Sequence, residues 1–131
     1  MATINSFEEL EKWIKARNLN KKILEISKRE TIRKDIRFCS QIRASSGSIM
    51  DNIAEGFERG SKLEFINSLT TSKGEVGEYK SQLYRGLDNQ YFSKELFSEL
   101  YNLADELTKM ITSFVSYLNR TAIKGQKFKN R

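Results

Sequence analysis

Histidine and proline are missing altogether from this 131-residue chain, and cysteine and tryptophan occur once each. Without histidine there is no imidazole base, no imidazole metal ligand and no Glu-x-x-His di-metal arrangement. A lone cysteine cannot close an intramolecular disulfide. Cys39 stands on the apolar stripe Ile36, Cys39, Ile42 with no imidazole to activate it, so a buried structural thiol is expected rather than a nucleophile. With no proline, no position is forced to break a backbone ladder, and long helices are expected. No apolar run approaches the roughly 18 residues of a membrane span, and no cation-plus-apolar leader pattern is visible. The expectation is a cytoplasmic protein without membrane contact. No phosphate-cradling glycine loop is present: Gly56 and Gly60 lack the following Lys-Ser/Thr, and Gly74 and Gly77 fall inside a helical pattern.

What remains is strongly helical in period. Ser6-Phe7-Glu8-Glu9 has capping-box spacing and opens a first helix predicted to run to about Lys28. Its apolar residues change face along its length, from Phe7, Leu10 and Ile14 to Ala16, Leu19, Ile23 and Ile26. A second helix is expected from about Ile32 to Gly56, burying Ile36, Cys39, Ile42, Ile49, Ile53 and Phe57. The third opens at a second capping box, Ser61-Lys62-Leu63-Glu64, and stops near Gly86. The fourth, Ser93 to about Asn119, repeats Leu96, Leu100, Leu103, Leu107, Met110, Phe114 and Tyr117 at four-three spacing. Phe97, Ala104, Ile111 and Leu118 widen that face beyond a two-helix seam. The pattern predicts an all-α, antiparallel, up-down-up-down four-helix bundle over residues 1–119. Thr70, Gly74, Gly77 and Ser81 put small side chains on one strip of the third helix. Interior glycine costs roughly 1 kcal/mol against alanine, so close approach of another helix is expected there, within the bundle or across a subunit boundary.

The formal charge of +6 is unevenly spread. Arg120, Lys124, Lys127, Lys129 and Arg131 make residues 120–131 a basic tail, expected to be flexible because it holds too little apolar surface to offset ordering. Residues 12–43 carry eleven Lys/Arg against three acids, whereas residues 44–119 carry seven against eleven. The candidate nucleic-acid contacts are therefore Lys21, Lys22, Lys28, Arg29, Arg33 and Lys34, with Lys124, Lys127, Lys129 and Arg131 from the tail. Lysine-rich surfaces also serve plain solubility.

Two polar stripes accompany the apolar ones. Gln41, Ser45, Ser48, Asn52, Glu55 and Arg59 share a face of the second helix, and Glu64, Ser68, Thr71, Glu75, Glu78 and Gln82 share one of the third. A short hairpin at Gly60 would set Gln41 level with Gln82, Arg43 with Glu78 and Arg59 near Glu64. The expected role of this seam is structural, fixing register between helices. The alternatives are a partner site or a hard-cation site on Glu55, Glu64 and Glu78.

Gln41-Ile42-Arg43, Ser48-Ile49, Asn52-Ile53-Ala54-Glu55-Gly56, Arg59, Glu64-Phe65, Leu69, Gly74, Glu78 and Gln82-Leu83 resemble the small "four helix bundle" proteins first found encoded in intervening sequences of bacterial 23S rRNA genes. Phe7, Leu10, Trp13 and Ala16 fit the opening helix, so the resemblance covers roughly residues 6–118. The chain departs from the family at Ala44, where a second arginine is usual, at Met50, often proline, and at Glu75, often serine. The resemblance implies a homo-oligomer, a barrel-like ring of five. It also implies kinship with the accessory proteins of diversity-generating retroelements, which associate with a reverse transcriptase and its RNA. The functional expectation is a non-enzymatic, cofactor-free and metal-free accessory protein for an RNA or ribonucleoprotein partner. Direct RNA binding is the alternative, and a cation-dependent enzyme ranks behind both.

Overall fold

The computed structural model describes residues 3–121 and 128–129. Four long helices carry the fold: α1 (Glu11–Ile26), α3 (Ile36–Glu58), α4 (Lys62–Asp88) and α5 (Lys94–Arg120), with a single-turn α2 (Glu30–Arg33) between the first two. α3 and α4 each pack along their lengths, α4 lies on α5, and α1 lies on α3 with a looser contact to α5. α1 and α4 thus occupy diagonal positions. A two-residue pairing of β1 (Thr3–Ile4) with β2 (Phe128–Lys129) is the only ladder among the described residues. No described helix is long and apolar enough to cross a membrane.

The helix starts follow the caps. The Ser61 and Ser93 hydroxyls accept from the backbone N–H groups of Glu64 (3.0 Å) and Leu96 (3.1 Å), opening α4 and α5 where the sequence places them. Two boundaries differ. The Ser6/Glu9 box closes only a 3-10 turn over Phe7–Glu9. Leu10 then turns extended (φ −75°, ψ 124°) and buries its side chain before α1 begins, so the first helix is interrupted. The second helix does not start at Ile32. It starts after Asp35, whose carboxylate accepts from Phe38 N–H at 3.1 Å and from the Tyr91 hydroxyl at 2.6 Å. That shift exposes Ile36 (79 %), which at the helix's first position has no preceding turn to shelter it; Phe38 takes its expected place in the core. Cys39 is buried as expected, its thiol donating to the Ile32 carbonyl.

Phe65 ties three helices together, meeting Phe57 of α3 and Phe114 of α5 edge-on at ring centroid distances of 5.9 and 5.6 Å. On α5, Leu100, Ala104, Leu107, Ile111, Phe114 and Leu118 are buried, while Leu96, Leu103, Met110 and Tyr117 sit half-buried on the flank. The α4–α5 turn is a Schellman arrangement. Tyr91 N–H reaches Gly86 O and Gln90 N–H reaches Leu87 O, with Gln90 left-handed at φ 62°. A side chain pays steric strain there that glycine avoids, so Gln90→Gly is expected to raise stability by about 0.5–1 kcal/mol, read as a shifted denaturant midpoint.

Candidate functional site

The polar seam between α3 and α4 exists; Arg59 meets Glu64 as expected, and the other partners differ. Gln41 accepts from Arg85 Nη1 at 2.7 Å, the Ser45 hydroxyl donates to Gln82, and the Ser72 hydroxyl donates to the Ile49 carbonyl at 2.8 Å. Helical side chains lean toward their helix's N-terminus, so Gln82 meets α3 one turn beyond Gln41, and Arg85 reaches back to Gln41 instead. Arg43 does not pair with Glu78. It lies two residues from Gln41, hence on the far side of α3, and its Nε donates to the Ser27 hydroxyl at the end of α1 at 2.8 Å. Asn52 is spent locally, donating to the Ser48 carbonyl.

At the hairpin end Arg59 lies 3.4 Å from Glu64 and 3.8 Å from Glu55, all three side chains about half exposed. Such pairs are worth about 0–1 kcal/mol, so they steer register more than they stabilise. With Asn67, Ser68 and Thr71 these residues line a shallow polar cleft of about 220 Å³. A guanidinium already occupies the position between the two carboxylates where a hard cation would sit. Among the described residues no group of three or more His, Cys, Asp or Glu side chains is placed to hold a metal. Gly56 explains the motif's last letter: a Cβ there would lie 2.4 Å from Ser68 Cβ and 3.1 Å from Phe65, so only glycine lets α3 and α4 approach this closely.

The basic end is assembled around α2. Lys28, Arg29, Arg33 and Lys34 are exposed, and Arg37 joins them from the first turn of α3. Lys34 pairs with Glu30 at 3.8 Å; Lys28, Arg29, Arg33 and Arg37 make no ion pair among the described residues. Arg33 and Arg43 border an open depression floored by Ile36, Cys39 and Ala44. Lys21 and Lys22 lie elsewhere, on the rim of an apolar groove between α1 and α5. Lys124, Lys127 and Arg131 fall outside the described residues, and Lys129 is described only through its strand pairing.

Sequence reasoning missed two features. Arg37 belongs to the basic end, and its exposure follows from the Asp35 cap that sets the phase of α3. Lys12 is the only buried charged side chain among the described residues (5 % exposed), with Nζ 3.9 Å over the Phe114 ring. It makes no hydrogen bond or ion pair among the described residues, and burial pulls its amine down to about 8 against a weaker opposing pull from Glu11. No local signal marks it, because α5 buries it from about a hundred residues away.

A crystal structure of a protein of unknown function from the S23 ribosomal protein family of Bacteroides thetaiotaomicron superposes with a TM-score of 0.73 at 23 % identity, covering 80 % of this chain and 95 % of that one. At that identity the likeness speaks for the fold alone. No curated protein matches. The 23S rRNA-intervening sequence protein family matches residues 8–113, which takes in α1, α3, α4, the whole α3–α4 seam and α5 as far as Ser113, and this chain belongs to that family.

Proposed function

We propose that the protein is a non-enzymatic accessory protein whose four long helices form an up-down-up-down bundle, assembled into a homo-oligomeric ring of five, that engages an RNA or ribonucleoprotein partner such as a reverse transcriptase. The observation that carries the partner class is the basic end: Lys28, Arg29, Arg33 and Arg37 are exposed and spend none of their charge on internal ion pairs among the described residues. Unspent cations grouped at one end are what phosphate neutralisation requires. The seam residues support a structural rather than catalytic role, since Gln41, Ser45, Asn52 and Gln82 are each committed to a partner inside the fold.

Fluorescence anisotropy with a short single-stranded RNA at two salt concentrations tests this. Binding is expected to weaken steeply with salt. Replacing Lys28, Arg29, Arg33 and Arg37 together with glutamine is expected to reduce the slope of log affinity against log salt by as much as about 3. Truncation after Arg120 tests the tail separately. If the tail carries the contact, truncation flattens the slope and the helix variant does not, which favours direct RNA binding by the tail. Salt-independent binding, or none at low salt, removes RNA from the reading.

A further inference from the structure

α4 presents to solvent a face its own fold does not use. Thr70, Gly74, Gly77 and Ser81 are all exposed, and a Cβ built at either glycine meets nothing within 4 Å. Both glycines therefore carry their helix penalty without serving any contact among the described residues. Glu78 flanks this strip and crowds Glu75, whose carboxyl is raised above its ordinary value first by partial burial and then by Glu78.

Across the molecule, α1 and α5 meet loosely and leave a groove of about 680 Å³. Ile14 (44 % exposed), Leu19, Leu103 and Met110 make its apolar floor. Along the α1 rim Lys21 and Lys22 stand together between Glu11 and Glu25, and Lys15 is held by Glu106 at 2.8 Å. Where the groove runs on past Glu11 and Met110, the buried ammonium of Lys12 forms no ion pair among the described residues.

We propose that the α1–α5 groove of one copy receives the glycine face of α4 from a second copy, in a head-to-tail contact. The lengths match: the strip from Thr70 to Ser81 spans about 17 Å and the groove from Glu11 to Glu25 about 21 Å at helical rise. The chemistry matches as well. Glycines let a helix backbone settle between two others, and the crowded Glu75/Glu78 pair meets the Lys21/Lys22 stretch of the wall. Lys73 is the one exposed cation on this part of α4, and it stands toward the α5 side of the strip, away from the two carboxylates. Because α1 and α4 are diagonal, the two surfaces are separate on each protomer, and such a head-to-tail contact builds a ring when its rotation closes rather than a two-fold pair.

This inference rests on the oligomeric reading above, and sedimentation of three proteins separates the two. The unmodified chain is expected to sediment as an oligomer. Gly77→Leu, which fills the strip, and Ile14→Glu, which puts a repelling carboxylate on the groove floor, are each expected to weaken assembly about tenfold or more. Both sites are exposed, so helicity by circular dichroism should be retained; Gly74→Gln and Ile14→Gln replace either variant that unfolds. Mixed in equal amounts, the two variants are expected to form a one-to-one pair, since one retains an intact groove and the other an intact strip. Unchanged assembly of either variant overturns the contact while leaving the ring reading in place. Variants that dissociate but fail to recombine overturn its head-to-tail character. A monomeric unmodified chain overturns both readings.

Discussion

Gly56→Ala is expected to lower stability by about 1–3 kcal/mol, even though alanine is the better helix former by about 1 kcal/mol. The new methyl would sit 2.4 Å from Ser68 Cβ and 2.9 Å from its hydroxyl oxygen, so relief requires α3 and α4 to separate where Phe57, Phe65 and Phe114 interlock. Ser68 has no flexible end to withdraw: its Cβ is fixed by the α4 backbone. Gly77→Ala provides the opposite sign. Nothing lies within 4 Å of its Cβ, and the substitution is expected to stabilise the protomer by about 0.5–1 kcal/mol. Denaturant unfolding of the pair at low protein concentration decides it. A stabilising Gly56→Ala would mean that the helices do not approach as described.

That contrast shows where the sequence was legible. Period and caps were: Ser61 and Ser93 open α4 and α5, and the Leu100-to-Leu118 row of α5 is buried as its spacing predicts. These are local properties, written within a turn or two of the residue concerned. The two interior glycines of α4 and the terminal glycine of the Asn-Ile-Ala-Glu-Gly motif look alike in sequence, yet one is crowded and the others face solvent. Only the neighbouring helix distinguishes them. The same limit governed the seam. Level alone placed Arg43 opposite Glu78, but azimuth turns Arg43 toward Ser27, and side-chain lean moves Gln82 one turn along to Ser45. Ile36 failed for a related reason, since the Asp35 cap begins α3 too late to shelter it. The basic end was readable as composition because its cations are close in sequence. Lys12 was not, because it reads as one more surface lysine between Glu11 and Trp13 until Phe114 of α5 covers it.

The stability of the protomer is expected to rise with pH between about 8 and 10, and Lys12 is the cause. Its amine is ordinary in the unfolded chain, near 10.5, and is lowered to about 8 in the fold, first because burial removes water from the ammonium. Below pH 8 both states hold the proton and the full cost of the buried cation is present, with no slope. Between the two values the unfolded chain holds a proton that the folded chain has released, and stability therefore climbs with pH. The depression corresponds to about 3 kcal/mol at neutral pH, of which the Phe114 contact returns about 1. Tyr79 sets the upper edge. Its hydroxyl is fully buried with no hydrogen-bond partner among the described residues, and burial raises it well above its ordinary value of 10.0. Above pH 10 the unfolded chain loses that proton while the folded chain keeps it, so stability turns down again. Lys12→Met keeps the length and apolar stem of the side chain without the charge. It is expected to stabilise the protomer by about 2 kcal/mol at pH 7 and to abolish the rise between pH 8 and 10. Urea unfolding at closely spaced pH values, in the Gly77→Leu background to hold the protein monomeric, provides the measurement. A Lys12→Met variant that retains the same alkaline rise would place the responsible group elsewhere, and one that is less stable at pH 7 would show that the ammonium–ring contact outweighs the cost of burying the charge.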